Sequence, residues 1–412
     1  MEFSKKGLGL KHLVATWMGI WAASWIACAA SVADSSQSQS KPLGDNTLTV
    51  PLEYHEVSFG VSGVGLSVKV QQDPFKKEPQ LSSTGIHRGR LPFPGQKEND
   101  LPFIWDTSSD KLYLDFNRNE DLTDDPDAVF SSASRSEGNS SFQHGMFSGV
   151  KLTLPSDAGQ CPWLVDLNFT AFRNYLNVYA EVRSFWAAKA TLGGREWQVG
   201  LVFGVQGRSV TARNSYLLLR PWEDQAKGFN TGDGSLAAFA FPQKVFIPTS
   251  VYQVQRTDLR EGDKLRLQLR FKAEPTELGD LTISGEFTRR LLLTGGSCVA
   301  VLDTPKGTLK VPVGTYSGHQ VQVGTAEATT HLEAVGQRSV VVTKNEPSTF
   351  AVGGPLTNGV TFSRRGNNLV LQYQLLGAGG ETYAPMRDHQ NPPQFAVYQG
   401  DKKIGSGKFE FG

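Results

Sequence analysis

The stretch Asp115-Phe-Asn-Arg-Asn-Glu-Asp-Leu-Thr-Asp-Asp-Pro126 sets Asp115, Asn117, Asn119 and Asp121 on alternate positions, with Asp124 three residues further on. Carboxylates and amide carbonyls are hard oxygen ligands, and the chemistry they suit is coordination of Ca2+. Counted as an EF-hand loop from Asp115, these four residues fill the first, third, fifth and seventh positions, and Leu122 falls at the eighth, the apolar anchor. Two positions depart from that pattern. Glu120 replaces the glycine of the sharp turn, where left-handed backbone costs a non-glycine residue roughly 1–2 kcal/mol. Pro126 replaces the closing bidentate Glu, so Asp124, Asp125 or Asp127 must serve instead. The expectation is a Ca2+ loop between strands, binding in the weak extracellular range of ~10⁻⁴–10⁻³ M. The same residues also suit an Asx-rich turn whose side chains cap their own backbone.

Other chemistry-bearing residues are more scattered. Asp106-Thr107-Ser108 and Asp303-Thr304-Pro305 have the Asp-Thr start of an aspartic-protease pair, in which two carboxylates share a proton. Ser108 and Pro305 stand where that chemistry needs glycine, so both read better as turns, and no catalytic residue is assigned. Trp163, Trp186, Trp197 and Trp222 suit either a sugar-stacking platform or a core. The histidines outside the first 33 residues show no metal-ligand spacing. Cys161 and Cys298 fit either one disulfide or two buried thiols.

The elements around these residues read as strands and turns. Phe103-Ile-Trp105 and Leu112-Tyr-Leu114 form the arms of a hairpin that leads into the acidic loop. Residues 131–145 are rich in Ser and Asn and read as a loop. Period-two strands resume from Val150, and Lys264-Leu-Arg-Leu-Gln-Leu-Arg-Phe271 alternates apolar with polar along a one-face-buried strand. Pro312 suits an edge strand. All tryptophans beyond residue 33 lie between Trp105 and Trp222, which sets a boundary after about Phe241. From Gly353, short strands with tight turns fit a small immunoglobulin-like sandwich. The fold class is therefore all-β, with antiparallel sandwich or barrel-like domains at 47–245, 246–352 and 353–412.

With 412 residues the chain is long enough for several full-sized cores, and its net charge of +1 gives no general pull towards nucleic acid. Lys5, Lys6 and Lys11 precede an apolar run that exits through Ser31-Val-Ala33, which reads as a secretory signal peptide at 1–33, with a polar tether at 34–46. Trp25-Ile-Ala-Cys28 also offers a lipoprotein signal, and a lipid at Cys28 is the only membrane contact expected.

The segment Lys111-Leu-Tyr-Leu-Asp-Phe-Asn-Arg-Asn-Glu-Asp-Leu-Thr-Asp-Asp125 resembles a recurrent Leu-Tyr-x-Asp-x-Asn-x-Asp-Gly-x-Leu-Thr-Asp segment of uncharacterised exported β-rich bacterial proteins. Leu309–Tyr316 and Gly405–Gly412 fit the same likeness. It implies export and a cation loop, and no activity. The combined reading is a non-catalytic structural or binding protein of the cell envelope, periplasmic, surface-bound or secreted, partnered by polysaccharide or another envelope component. The competing reading is a carbohydrate-binding or carbohydrate-active protein that uses the tryptophans.

Overall fold

The computed structural model describes residues 47–410, except 59, 67, 93–99, 134–141, 157–158, 173–174, 204–214, 228–236, 263, 325–331, 367 and 384–391. The expected signal peptide, the tether and Cys28 lie outside the described residues. The chain is an all-β, multi-domain protein of several antiparallel sheets. Among the described residues no helix is long and apolar enough to cross a membrane.

Among the described residues the largest sheet has sixteen strands. Its main path starts at Ala237–Ala240 and passes through Ser215–Pro221, Arg195–Phe203, Ser184–Leu192 and Thr47–Glu56 to Lys264–Glu274. It continues through Ser250–Glu261, Lys244–Ile247, Cys298–Asp303 and Thr288–Gly295 to Gly318–Val323 and Leu332–Gly336. The Lys264–Glu274 strand follows the sequence pattern, with Leu265, Leu267, Leu269 and Phe271 all buried. The ladder runs through the boundary expected near residue 245, because Thr47–Glu56 pairs with Lys264–Glu274 and Lys244–Ile247 pairs in parallel with Cys298–Asp303.

A branch of this sheet holds Phe142–Ser156, Gly159–Phe172, Tyr175–Val182 and Ser62–Leu66. Phe142 to Gly145, read from composition as loop, begins its first strand. Pairing with Phe172 to Phe169 overrides the weak local signal.

A five-stranded sheet stacks on the inner face of this branch. It consists of Lys69–Gln71, Ile86–Leu91, Leu101–Asp106, Lys111–Leu114 and Val129–Ser131. Ring centroids of Phe103 and Phe169 lie 5.2 Å apart, and Trp105 meets Phe169 at 5.4 Å and Phe147 at 6.5 Å. The Phe103–Phe169 and Trp105–Phe147 contacts are edge-to-face, the arrangement ring quadrupoles favour.

The second core gathers Leu281, Leu291, Val311, Val321, Phe350 and Tyr383. Pro312 ends an edge strand, Gly307–Pro312, as its missing N–H requires. A polar knot sits inside this core. Glu381 accepts hydrogen bonds from the Gly353 N–H (2.6 Å), the Gly379 N–H (3.0 Å) and the Tyr383 hydroxyl (2.9 Å). Arg338 donates to the Gly379 and Ala351 carbonyls and lies over the Phe350 ring. His319, 4% exposed, meets the same ring at 5.2 Å, and neither of its ring nitrogens makes a well-formed hydrogen bond. Burial, then the charge of Arg338, holds its pKa below the usual histidine value, against the pull of Glu381.

The C-terminal residues form a three-stranded sheet, Thr357–Arg365, Asn368–Leu376 and Thr382–Tyr383, and a hairpin, Gln394–Gln399 with Lys402–Lys408. Phe409 joins them, 5.5 Å from Tyr373 and 5.0 Å from Phe395. Phe362 remains 77% exposed, since no second sheet covers that face among the described residues. Cys161 and Cys298 are free thiols, which answers the disulfide alternative. Burial pushes their pKa values up to about 12 and about 11.

Candidate functional site

The acidic loop follows the Lys111–Leu114 strand and ends at the 3-10 turn Pro126–Ala128. Asp115 is fully buried at its base. Its Oδ1 accepts the Asn119 N–H at 3.2 Å and its Oδ2 the Glu120 N–H at 2.8 Å. Three further turns climb the loop. Asn117 Oδ1 accepts from the Asn119 N–H (3.0 Å), Asn119 Oδ1 from the Asp121 N–H (2.6 Å), and Asp121 Oδ1 from the Thr123 N–H (3.1 Å). The amide nitrogens of Asn117 and Asn119 both donate to Asp124, at 3.1 and 2.7 Å. Asp125 Oδ2 accepts the Phe116 N–H at 2.9 Å. The structure thus brings Asp115, Asn117, Asn119, Asp121 and Asp124 into one network of Asx turns.

A distant segment closes the loop. Lys77 pairs its backbone with Glu120 and Leu122, both at 3.1 Å, and its Nζ lies 2.7 Å from Asp121 Oδ2. That contact, with Thr123, holds the Asp121 carboxyl at about 2. Burial pushes the Asp115 carboxyl up, although its N–H donors pull the other way. Glu120 takes the left-handed backbone its position requires, at φ 67°. Its carboxylate meets Arg90 and, at 3.6 Å, Lys76. Leu122 packs with Phe75, Ile104 and Tyr113 in a small core of its own. Among the described residues, no three or more His, Cys, Asp or Glu side chains are placed to hold a metal ion.

The other candidates are placed apart from one another. Asp106 caps the Ser82, Ser108 and Ser109 N–H groups at 2.9–3.1 Å, while Asp303 pairs with Arg290 and Arg195. Each carboxylate has its own partners, so they form no proton-sharing pair. Of the two alternatives for the tryptophans, platform or core, three of the four take the core. Trp163, Trp186 and Trp197 are buried, and Trp222 lies under the Lys189 ammonium at 4.9 Å. Large rings set on strands between two layers are drawn into the core.

Sequence reasoning missed a different aromatic array. On the outward face of the branch, Phe142, Phe172 and Tyr175 are direct cross-strand partners. They are 51%, 37% and 66% exposed. The next row is His144, Thr170 and Asn177, and the third is Met146, Asn168 and Tyr179. The rows end at Asp166 and Glu181, also directly paired. Arg183 binds Asp166 at 2.9 and 2.8 Å, and burial, then Asp166, pushes the Glu181 carboxyl up. Period-two alternation in Tyr175–Val182 was visible in the sequence, but the face that points outward is set by burial of Leu176, Val178 and Ala180.

No protein-family model, curated protein or solved structure matches this chain.

Proposed function

We propose that this chain is a non-catalytic structural or binding protein of the cell envelope, exported by its N-terminal signal. In this reading the acidic loop is a tie between segments, and Ca2+ is its weak ligand. The observation that carries the structural role is Asp115, a buried carboxylate whose two oxygens each accept a backbone N–H. Such bonds to an ionised group are stronger than neutral ones and fix the loop without a metal. The oxygens of Asn117, Asn119, Asp121 and Asp124 have the chemistry Ca2+ takes, but the Lys77 ammonium already stands against Asp121. An arriving cation has to displace it, which keeps affinity low.

Thermal melting in millimolar Ca2+ and in chelator tests this reading, using wild type and Lys77→Met. The expected outcome is a small upward shift in wild type and a larger one in the variant, where the competing charge is gone. No shift in either protein removes Ca2+ from the account.

A further inference from the structure

We propose that the outward face of the strands between Phe142 and Val182 binds an uncharged, hydroxyl-rich polysaccharide. The inference deepens the reading of the chain as a binding component of the envelope. It does not depend on the acidic loop.

The pairing register builds the face. Phe142, Phe172 and Tyr175 stand on three neighbouring strands at one level, so their rings form a line of roughly 10 Å at the usual strand spacing. Behind them, Thr170, Asn168 and Asn177 supply hydroxyl and amide groups that both donate and accept. The three rows contain no lysine, arginine or carboxylate. The neighbouring Ser62–Leu66 strand gives the face a low floor. Gly65 has open space where a Cβ would stand, and a Cβ on Gly63 would come 1.9 Å from the Tyr179 hydroxyl.

The partner follows from what this surface satisfies. A charged polymer would find no counter-charge in these rows. A purely apolar partner would strip water from the amides without replacing their hydrogen bonds. A sugar ring has an apolar face for the aromatic line and hydroxyls for the amides, and so meets both demands. The tryptophans take no part.

Affinity electrophoresis of the full chain tests the proposal, with gels containing hydroxyethyl cellulose, mixed-linkage β-glucan, xylan or, as a charged comparison, alginate. Wild type is expected to be retarded by at least one neutral polymer, with little change between ~0.05 and ~0.5 M salt. Tyr175→Ala and Phe142→Ala should each weaken binding roughly tenfold or more, as central anchors do. Tyr175→Phe, which keeps the ring, should retain most of it, and Phe362→Ala, an exposed ring elsewhere, should bind as wild type. Melting temperatures should match throughout, so lost binding is not lost fold.

Several results would overturn the proposal. They are no retardation in any neutral gel, equal binding by Tyr175→Ala, retention by alginate alone, or a wild-type dimer that Tyr175→Ala dissociates in sedimentation. The last would show that a second copy covers the face. Cell fractionation tests the envelope reading separately, and a cytoplasmic location would sink that reading while leaving the binding result standing.

Discussion

The acidic loop and the outward face of the Phe142–Val182 strands are opposites in how their polar groups are used. In the loop, an oxygen-rich segment turns inward. Asp115, Asn117, Asn119 and Asp121 each cap a backbone N–H, and the distant Lys77 answers the Asp121 carboxylate. On the face, Asn168, Thr170 and Asn177 lie beside rings that remain 37–66% exposed. The difference is one of reach: short Asx side chains in a loop find their own backbone first, whereas side chains on the outer face of paired strands stand away from a backbone already bonded in the ladder.

The largest expected contrast is in stability. Asp115→Ala takes the acceptor from the Glu120 N–H and leaves the Asn119 N–H to Asn117 alone, and should lower unfolding free energy by about 2 kcal/mol in urea titrations. A loss below about 0.5 kcal/mol would mean that the loop carries no structural load.

A finer test lies at Glu120. Both Glu120→Ala and Glu120→Gly lose the Arg90 contact, but only glycine relieves the left-handed backbone at φ 67°. The glycine variant should be more stable than the alanine variant by about 1 kcal/mol. Equal stabilities would show that the turn relaxes without cost.

His319 supplies a buried case in which neither ring nitrogen makes a well-formed hydrogen bond. Its folded pKa lies below the ordinary 6.5, so the unfolded chain takes the proton first as pH falls. Stability should be complete above that value and decline below it, as pH falls towards the folded pKa. The Asp121–Lys77 pair acts later, between the ordinary 3.8 and about 2. Asp115, with its raised pKa, acts with the opposite sign and gains from protonation. Urea midpoints from pH ~7 to ~5 should fall more in wild type than in His319→Gln. The same slope in both would assign the acid response elsewhere.

The smallest expected effect is on the outward face itself, where Tyr175→Ala should change stability by less than about 0.5 kcal/mol. A large loss there would mean that the ring supports the fold, and the contrast between the two regions would fail.

What was legible in the sequence was local. The alternation in Lys264–Phe271, the edge position of Pro312, the left-handed demand at Glu120 and the anchoring of Leu122 all follow from residue type and spacing. What was hidden depends on contacts far apart in sequence. Lys77 reaches Asp121 across 44 residues. Phe142, Phe172 and Tyr175 become a line only when three strands adopt one register. The choice between platform and core for the tryptophans stayed open for the same reason, since composition does not say which face of a strand a second layer will cover.

Amide hydrogen exchange in the loop, in calcium-free buffer with chelator, tests the central claim most directly. If Asp115 and the Asx turns close the loop unaided, the amides of Asn119, Glu120 and Asp121 will be protected to nearly the level of the adjoining Lys111–Leu114 strand. Exchange at unstructured rates, with protection only on adding Ca2+, would contradict the account and make the loop a metal site first and a tie second.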